Sequence, residues 1–187
     1  VLTPRAGFDG YPTWAPKGDM IAFGSDRTEA TNSDIFVMYL NGGEVSQITD
    51  SYDMEARPAW SPDGSWIAFA SNVPQETTRL ERIMPHGVGH LTLVEPGPTI
   101  ARPVWSPDSE KILYAANANA MVDAPDVDSD IWVVNYDGTG HIQLTNDPAS
   151  DINPAWSPDG SRIAFQSNRD GEYAIYVENK VVAFVGD

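Results

Sequence analysis

The sequence predicts an all-β repeat protein made of four copies of one four-stranded unit. Three observations predict it. One phrase occurs four times: Pro12-Thr13-Trp14-Ala15-Pro16-Lys17-Gly18, Pro58-Ala59-Trp60-Ser61-Pro62-Asp63-Gly64, Pro103-Val104-Trp105-Ser106-Pro107-Asp108-Ser109 and Pro154-Ala155-Trp156-Ser157-Pro158-Asp159-Gly160. Its tryptophans lie 46, 45 and 51 residues apart, a period that marks a repeat architecture. Each copy runs into a short apolar stretch of strand length: Ile21-Ala22-Phe23, Ile67-Ala68-Phe69, Ile112-Leu113-Tyr114 and Ile163-Ala164-Phe165.

The chain opens on Val1-Leu2-Thr3, which resembles Gln47-Ile48-Thr49 and Gln143-Leu144-Thr145. Leu2, Ile48, Leu93 and Leu144 each stand ten residues before a repeat's proline. The chain is therefore expected to begin inside a unit. Residues 1–187 form a single domain, with 1–3 a latch strand and repeats over about 4–50, 51–95, 96–146 and 147–187.

Within a unit the first strand is the short Pro-x-Trp segment. Ser-Pro-Asp-Gly turns it, because proline presets φ and glycine accepts φ > 0. The second strand is apolar on both faces, as suits a strand between neighbouring sheets. The third is Ile35-Phe36-Val37-Met38, Ile131-Trp132-Val133-Val134 and Ile175-Tyr176-Val177. Asn41-Gly42-Gly43 and Asp137-Gly138-Thr139-Gly140 are hairpin turns into a fourth strand that ends in Ile-Thr or Leu-Thr. In the last unit, Val181 to Phe184 or the latch supplies that strand.

Two units depart from the pattern. In the second, Arg79-Leu80-Glu81-Arg82-Ile83 stands where the apolar third strand belongs, and His86-Gly87 replaces Asp137-Gly138. An amphipathic strand there is expected to have a solvated face, or to touch something else, or to reflect drift of one repeat. In the third, an insertion from Asn119 to Asp130 lengthens the tryptophan spacing.

Composition narrows the function. The net charge is −16, from 11 basic and 27 acidic residues, and the basic ones are scattered singly. Such a field repels a nucleic-acid backbone. Solubility is the plain reason for the acidity. No run of about 18 apolar residues exists, so no membrane span is expected. There is no cysteine, which excludes a disulfide scaffold, a thiol nucleophile and thiolate metal sites. The start at Val1 without a charged-then-apolar leader fits a processed protein, a trimmed form or a fragment.

The order Asp-x-x-Pro-x-Trp-Ser-Pro-Asp-Gly-x-x-Ile-Ala-Phe, then Asp-Ile-Tyr-Val, Asp-Gly and Leu-Thr, closely resembles the WD40-like (PD40) repeat of the TolB-type β-propellers. The fullest match carries Asp151, Pro154, Trp156 to Gly160, Ile163 to Phe165, Ser167, Arg169 to Gly171 and Ile175 to Val177. The resemblance implies a β-propeller of four four-stranded blades packed radially. In such a family the propeller binds a protein partner in the bacterial periplasm, or gates a prolyl-oligopeptidase-like enzyme. The family's usual ring has more than four blades. An open stack of four would bare two apolar faces. Closure as a four-bladed ring, completion to an eight-bladed ring by a second chain, and membership in a larger propeller all remain open.

Strands in a blade run up and down, so the loops joining blades share one mouth with the loops from strand two to strand three. That mouth collects Asp9, Tyr11, Glu55, Arg57, Arg102, Asp151 and Asn153. Arginines grip carboxylates bidentately and a tyrosine stacks on a ligand. The acid three residues before the proline recurs, however, and a recurring residue often bonds its own loop backbone instead. The insertion offers Asp126, Asp128 and Asp130, hard oxygen ligands of the kind Ca²⁺ takes. It lacks the EF-hand glycine and glutamate, and Asp130 also matches Asp34 of the first repeat.

Nothing points to catalysis. His86, His90 and His141 fall near hairpin turns, outside any His-Glu-x-x-His pattern. No Gly-x-Ser-x-Gly elbow is present. The expected function is a non-catalytic β-propeller that binds a protein or peptide at its mouth. It is expected to be periplasmic or secreted, to form a homodimer, and to need no cofactor unless Ca²⁺ binds the insertion. The alternative is the propeller part of a larger protein such as a peptidase. Carbohydrate or small-ligand binding between blades has only the aromatics behind it.

Overall fold

A computed structural model of the chain describes residues 2–3, 7–28, 32–72, 78–95, 99–117 and 129–179. Within them the chain forms four antiparallel sheets, and every strand pairs with its neighbour in sequence. The first is β1 (Asp9–Trp14), β2 (Met20–Ser25), β3 (Asp34–Tyr39) and β4 (Val45–Gln47). The second is β5 (Met54–Trp60), β6 (Ile67–Asn72), β7 (Thr78–Ile83) and β8 (Leu91–Val94). The third is β9 (Thr99–Trp105), β10 (Lys111–Asn117), β11 (Ser129–Asn135) and β12 (Ile142–Gln143). The fourth is β13 (Asp151–Trp156), β14 (Ile163–Ser167) and β15 (Ala174–Glu178). Among the described residues no helix is long and apolar enough to cross a membrane.

The sheets are the blades of a β-propeller, and the core lies between them. Side chains alternate along the second strand, so each blade feeds two interfaces. Ile67 and Phe69 pack back onto Ile35, Val37 and Ile48 of blade one. Ala68 and Leu80 pack forward onto Trp105, Ile112 and Tyr114 of blade three. Leu113, Ile131 and Val133 then meet Ile163 and Phe165 of blade four. This is the physical reason the Ile-Ala-Phe stretch is apolar at successive positions.

The tryptophans tie the blades together. Trp105 Nε1 donates to the Ala59 carbonyl at 2.9 Å, and Trp156 Nε1 to the Val104 carbonyl at 3.2 Å. These two indoles cap the inner strand of the preceding blade; Trp60 is buried as well, but its Nε1 has no partner among the described residues. Trp105 is 6% exposed, whereas Trp14, with no preceding blade, is 60% exposed. At the other end, Ile175 and Val177 are 67% and 58% exposed. They pair with Gln166 and Ala164 as Ile131 and Val133 pair with Ala115 and Leu113, yet Ile131 and Val133 are fully buried. The outer face of blade four is thus a bare apolar face, whereas on the outer face of blade one Phe23, Phe36 and Met38 are buried and Trp14 stands exposed at the strand end.

Three expectations need correction. The inner strand is not the short Pro-x-Trp segment. It begins three to four residues earlier, because a β-bulge lets pairing resume beyond the residues before the proline. The third strand of blade two has no solvated face: Glu81 and Arg82 are both buried. Arg82 occupies the position of Val37 and Val133, reaches the next blade, and donates through Nε to the Tyr136 carbonyl at 2.5 Å. Its guanidinium lies over the Trp66 ring at 3.5 Å. Glu81 accepts from Thr92 at 3.1 Å and meets His90 Nε2 at 3.3 Å. Both charges thus have partners, although Arg82 Nη1 is buried and unpartnered among the described residues. Finally, Leu2 and Thr3 join no sheet; they line a cavity of about 160 Å³ against Phe23 and Met38 of blade one. Val1 and the 181–184 segment lie outside the described residues, as do Asp126 and Asp128 of the insertion.

Candidate functional site

Each inner strand carries a bulge where it meets its proline. A bulge bends the strand and re-aims a side chain. The residue before the proline is left-handed in all four blades: Tyr11 at φ 54°, Arg57 at 57°, Arg102 at 45° and Asn153 at 52°. Asparagine tolerates that conformation. For tyrosine and arginine it costs about 1–2 kcal/mol each, and a following proline normally pushes the chain toward extended backbone. If backbone shape were the whole requirement, glycine or asparagine would meet it better at all four positions. Two arginines and a tyrosine stand there instead.

The seam between blades one and two is the most elaborated part of this mouth. The Arg57 guanidinium lies 5.5 Å from the Tyr11 ring centroid, and Phe8 tilts against Tyr11 at 5.7 Å. Beside them is a cavity of about 390 Å³, also walled by Asn32, Met54 and Asn72. Asp26 lines it as well, its Oδ1 accepting the Phe8 backbone N–H at 2.9 Å. Arg102 and Asn153 are exposed, and Asn153 Nδ2 donates to Gln166 at 2.6 Å.

The acids of the mouth behave differently from its bulge residues. Asp9 accepts from Ser25 at 2.6 Å and from Arg27 at 3.0 Å. Burial opposes ionisation, but these bonds outweigh it and hold the carboxyl below its ordinary range. Asp151 is fully buried and takes Arg169 through both oxygens, at 3.2 and 2.9 Å. The two arginines are themselves stacked, Arg27 over Phe23 and Phe36, Arg169 over Phe165 and Tyr176. Asp9 and Asp151 thus brace their own blades. Glu55, at the same register, is 2% exposed and accepts from Ser51 at 2.9 Å. Its Oε2 is buried and unpartnered among the described residues. Burial pushes its carboxyl up to about 7, against the hydrogen bonds from Thr49 and Ser51. Asp130 is held by Gln143 at 2.8 Å and Thr145 at 3.2 Å, as Asp34 is held by Gln47 at 3.0 Å.

The serines of the repeated phrase are committed to the turn. Ser61 Oγ donates to Asp63 at 2.5 Å and accepts the Trp66 N–H at 2.9 Å, and Ser106 and Ser157 do the same in their blades. The histidines sit at two hairpins, His86 and His90 between β7 and β8 and His141 between β11 and β12: His86 meets the Tyr39 hydroxyl at 3.2 Å, and His141 the Gly138 carbonyl at 3.0 Å. Among the described residues no group of three metal-ligating side chains comes together. Sequence reasoning missed Phe8, Asn32, Met54 and Asn72. Only Phe8 carried a signal, as an aromatic beside the recurring acid; the others reach the seam through the packing of two blades.

Comparison with known proteins gives a consistent picture. The family model "TolB beta propeller domain" matches residues 1–121 and 94–182. Dipeptidyl-peptidase 5 of Porphyromonas gingivalis is 45% identical over 42 residues, 22% of this chain and 6% of that protein. The TolB homolog of Chlorobium luteolum is 38% identical over 50 residues, 27% of this chain and 12% of that protein. The crystal structure of TolB from Acinetobacter baumannii superposes with a TM-score of 0.75 at 18% identity, covering 95% of this chain and 42% of that one. The chain therefore spans well under two thirds of each of these relatives.

Proposed function

Because the chain belongs to the TolB β-propeller domain family, we propose that it is a non-catalytic binding module that takes a protein or peptide partner at its loop-rich mouth. The observation that carries this reading is the set of left-handed bulge residues. Tyr11, Arg57, Arg102 and Asn153 make the contacts, with Asp9, Glu55 and Asp151 holding the strands beneath them. Strain retained at non-glycine side chains is a signature of function. Panning the protein against a displayed random-peptide library tests it. The selected peptides should lose binding to a double charge reversal, Arg57→Glu with Arg102→Glu, that keeps the wild-type melting temperature. Equal binding to the double variant overturns the site.

The exposed Trp14 and the bare face of blade four belong to the same proposal. We place Trp14 of a second copy against Ile175 and Val177, which completes an eight-bladed ring; light scattering should then give twice 20.4 kDa. The setting proposed is the periplasm or the cell exterior, to be checked by fractionation. A Ca²⁺ role for Asp126, Asp128 and Asp130 rests on their alternation alone, and melting curves with and without Ca²⁺ test it.

The second reading is the propeller of a larger protein such as a peptidase. The similarity to a dipeptidyl-peptidase over 42 residues favours it, and so does a bare blade-four face suited to a further blade. An α/β-hydrolase segment in the same reading frame would establish it.

A further inference from the structure

Arg57 shares with Arg102 and Arg162 the lack of a carboxylate partner among the described residues, and differs from them in facing an aromatic ring and a cavity. Arg27, Arg79 and Arg169 each hold a carboxylate, at 3.0, 2.8 and 2.9 Å. Arg82 is spent on the Tyr136 carbonyl and the Trp66 ring. Among the described residues Arg57 has no carboxylate partner, although the chain carries 27 acidic residues. It faces the Tyr11 ring and borders a cavity of about 390 Å³. Its backbone is left-handed. A cation kept unneutralised in an acidic protein, in a strained conformation and beside a cavity, is set out for an anion from elsewhere.

The rest of the cavity says which anion. Phe8, Tyr11 and Met54 give it an apolar wall. Asp26 also lines it, its Oδ1 already accepting the Phe8 N–H, and one guanidinium balances a single negative charge rather than several. We infer that the seam between blades one and two is a subsite for a single carboxylate carried next to an apolar or aromatic side chain of a peptide. Arg57 takes the carboxylate in a charge-assisted pair, which a guanidinium makes bidentately. The Phe8–Tyr11 pair and Met54 take the side chain. The volume lies in the range of small-ligand sites and suits one or two residues. This inference rests on the mouth reading and narrows its ligand.

A carboxylate beside an apolar group has two sources, an acidic side chain or a chain terminus. Four short peptides separate them: acetyl-Glu-Phe-amide against acetyl-Gln-Phe-amide, and acetyl-Gly-Phe with a free carboxylate against its amide. Each is titrated into the protein while the Tyr11 and Met54 NMR signals are followed. One acid of the two pairs should shift both signals, and its neutral counterpart should bind at least about tenfold more weakly. Arg57→Gly should abolish the response, because glycine accepts the backbone and removes only the guanidinium. Arg57→Asn is the second variant, and both are checked for an unchanged melting temperature. Arg162→Ala, at the tryptophan turn and outside the mouth, should leave the response intact.

Acid and amide that bind alike, or an Arg57→Gly variant that responds like wild type, overturn the subsite, as does silence from all four peptides. The mouth reading falls separately. If library peptides still require Arg57 and Arg102 but show no preference for a carboxylate, the mouth stands and the subsite does not.

Discussion

At one end of each inner strand lies the tryptophan turn, and toward the other end the bulge before the proline. Both are four-fold in backbone. The turn is nearly four-fold in residues as well. Ser61, Ser106 and Ser157 each bond an aspartate two residues on and a backbone N–H five residues on. Blade one substitutes Ala15 and Lys17 and keeps only Pro16 and Gly18. The bulge repeats its φ values but not its residues: tyrosine, arginine, arginine, asparagine. Where backbone and residue repeat together, the residue builds the backbone. Where backbone repeats and residue varies, the residue answers to something outside the blade.

The largest way to break that comparison is at the tryptophan itself. Trp105→Ala removes a buried indole and its bond to Ala59, and should cost about 3–5 kcal/mol in urea unfolding. Trp14→Ala, at an exposed copy of the same residue, should cost less than about 0.5 kcal/mol where the chain stands as a single copy, and as much as Trp105→Ala where the proposed ring forms. Equal losses would mean that Trp14 is covered in solution, as ring completion by a second copy requires.

Glu55 gives the next effect, and it depends on pH. Its folded carboxyl sits at about 7, above the ordinary 4.5. A raised acid contributes stability that is full below about 4.5 and is lost as pH climbs through 7. The loss is at most about 3 kcal/mol. Glu55→Gln should match wild type near pH 4.5 and exceed it at pH 8. Melting curves across that window check it, and parallel curves for the two proteins would refute the buried assignment.

Within the turn, Asp108 accepts from Ser106 at 2.5 Å and from the Glu110 N–H at 3.1 Å. Asp108→Ala should cost about 1–2 kcal/mol and leave peptide binding unchanged. A loss of binding would bring the turn end of the strand into function.

Much of this was legible in the sequence because the repeat supplies its own controls. Four copies of Pro-x-Trp fixed the blade count, and the doubly apolar second strands announced sheets packed on both faces. Tyr11, Arg57, Arg102 and Asn153 could be named as mouth residues from their place before the proline. Their conformation could not. A bulge is a register event between two strands, and the usual preference of a residue before proline argues against it. Arg82 was illegible for a related reason. Its partner, the Tyr136 carbonyl, lies 54 residues away on the next blade. A charge in an apolar strand looks solvated until the neighbouring blade is in place. The cavity's Asn32 and Met54 likewise mean nothing until two blades are packed together.

The smallest effect is the most telling. Arg57→Gly relieves the left-handed strain of a branched backbone position, worth about 1–2 kcal/mol, and adds unfolded-chain freedom worth about 0.5–1 kcal/mol. Stability should stay level or rise by up to about 1 kcal/mol while binding at the mouth fails. Asn153→Gly, at the copy already suited to φ > 0, should gain less. Ser109→Gly is the control at the turn end. Ser109 holds φ 65° where the other blades place glycine, but its Oγ accepts the Asp63 N–H of the preceding blade at 3.0 Å. There the relieved strain and the lost hydrogen bond should cancel, and binding should not change. A stabilised Arg57→Gly that no longer binds would mean that evolution kept the strain for the ligand. A destabilised one that still binds would mean that Arg57 serves the blade, and would move the bulge to the same side of the comparison as the turn.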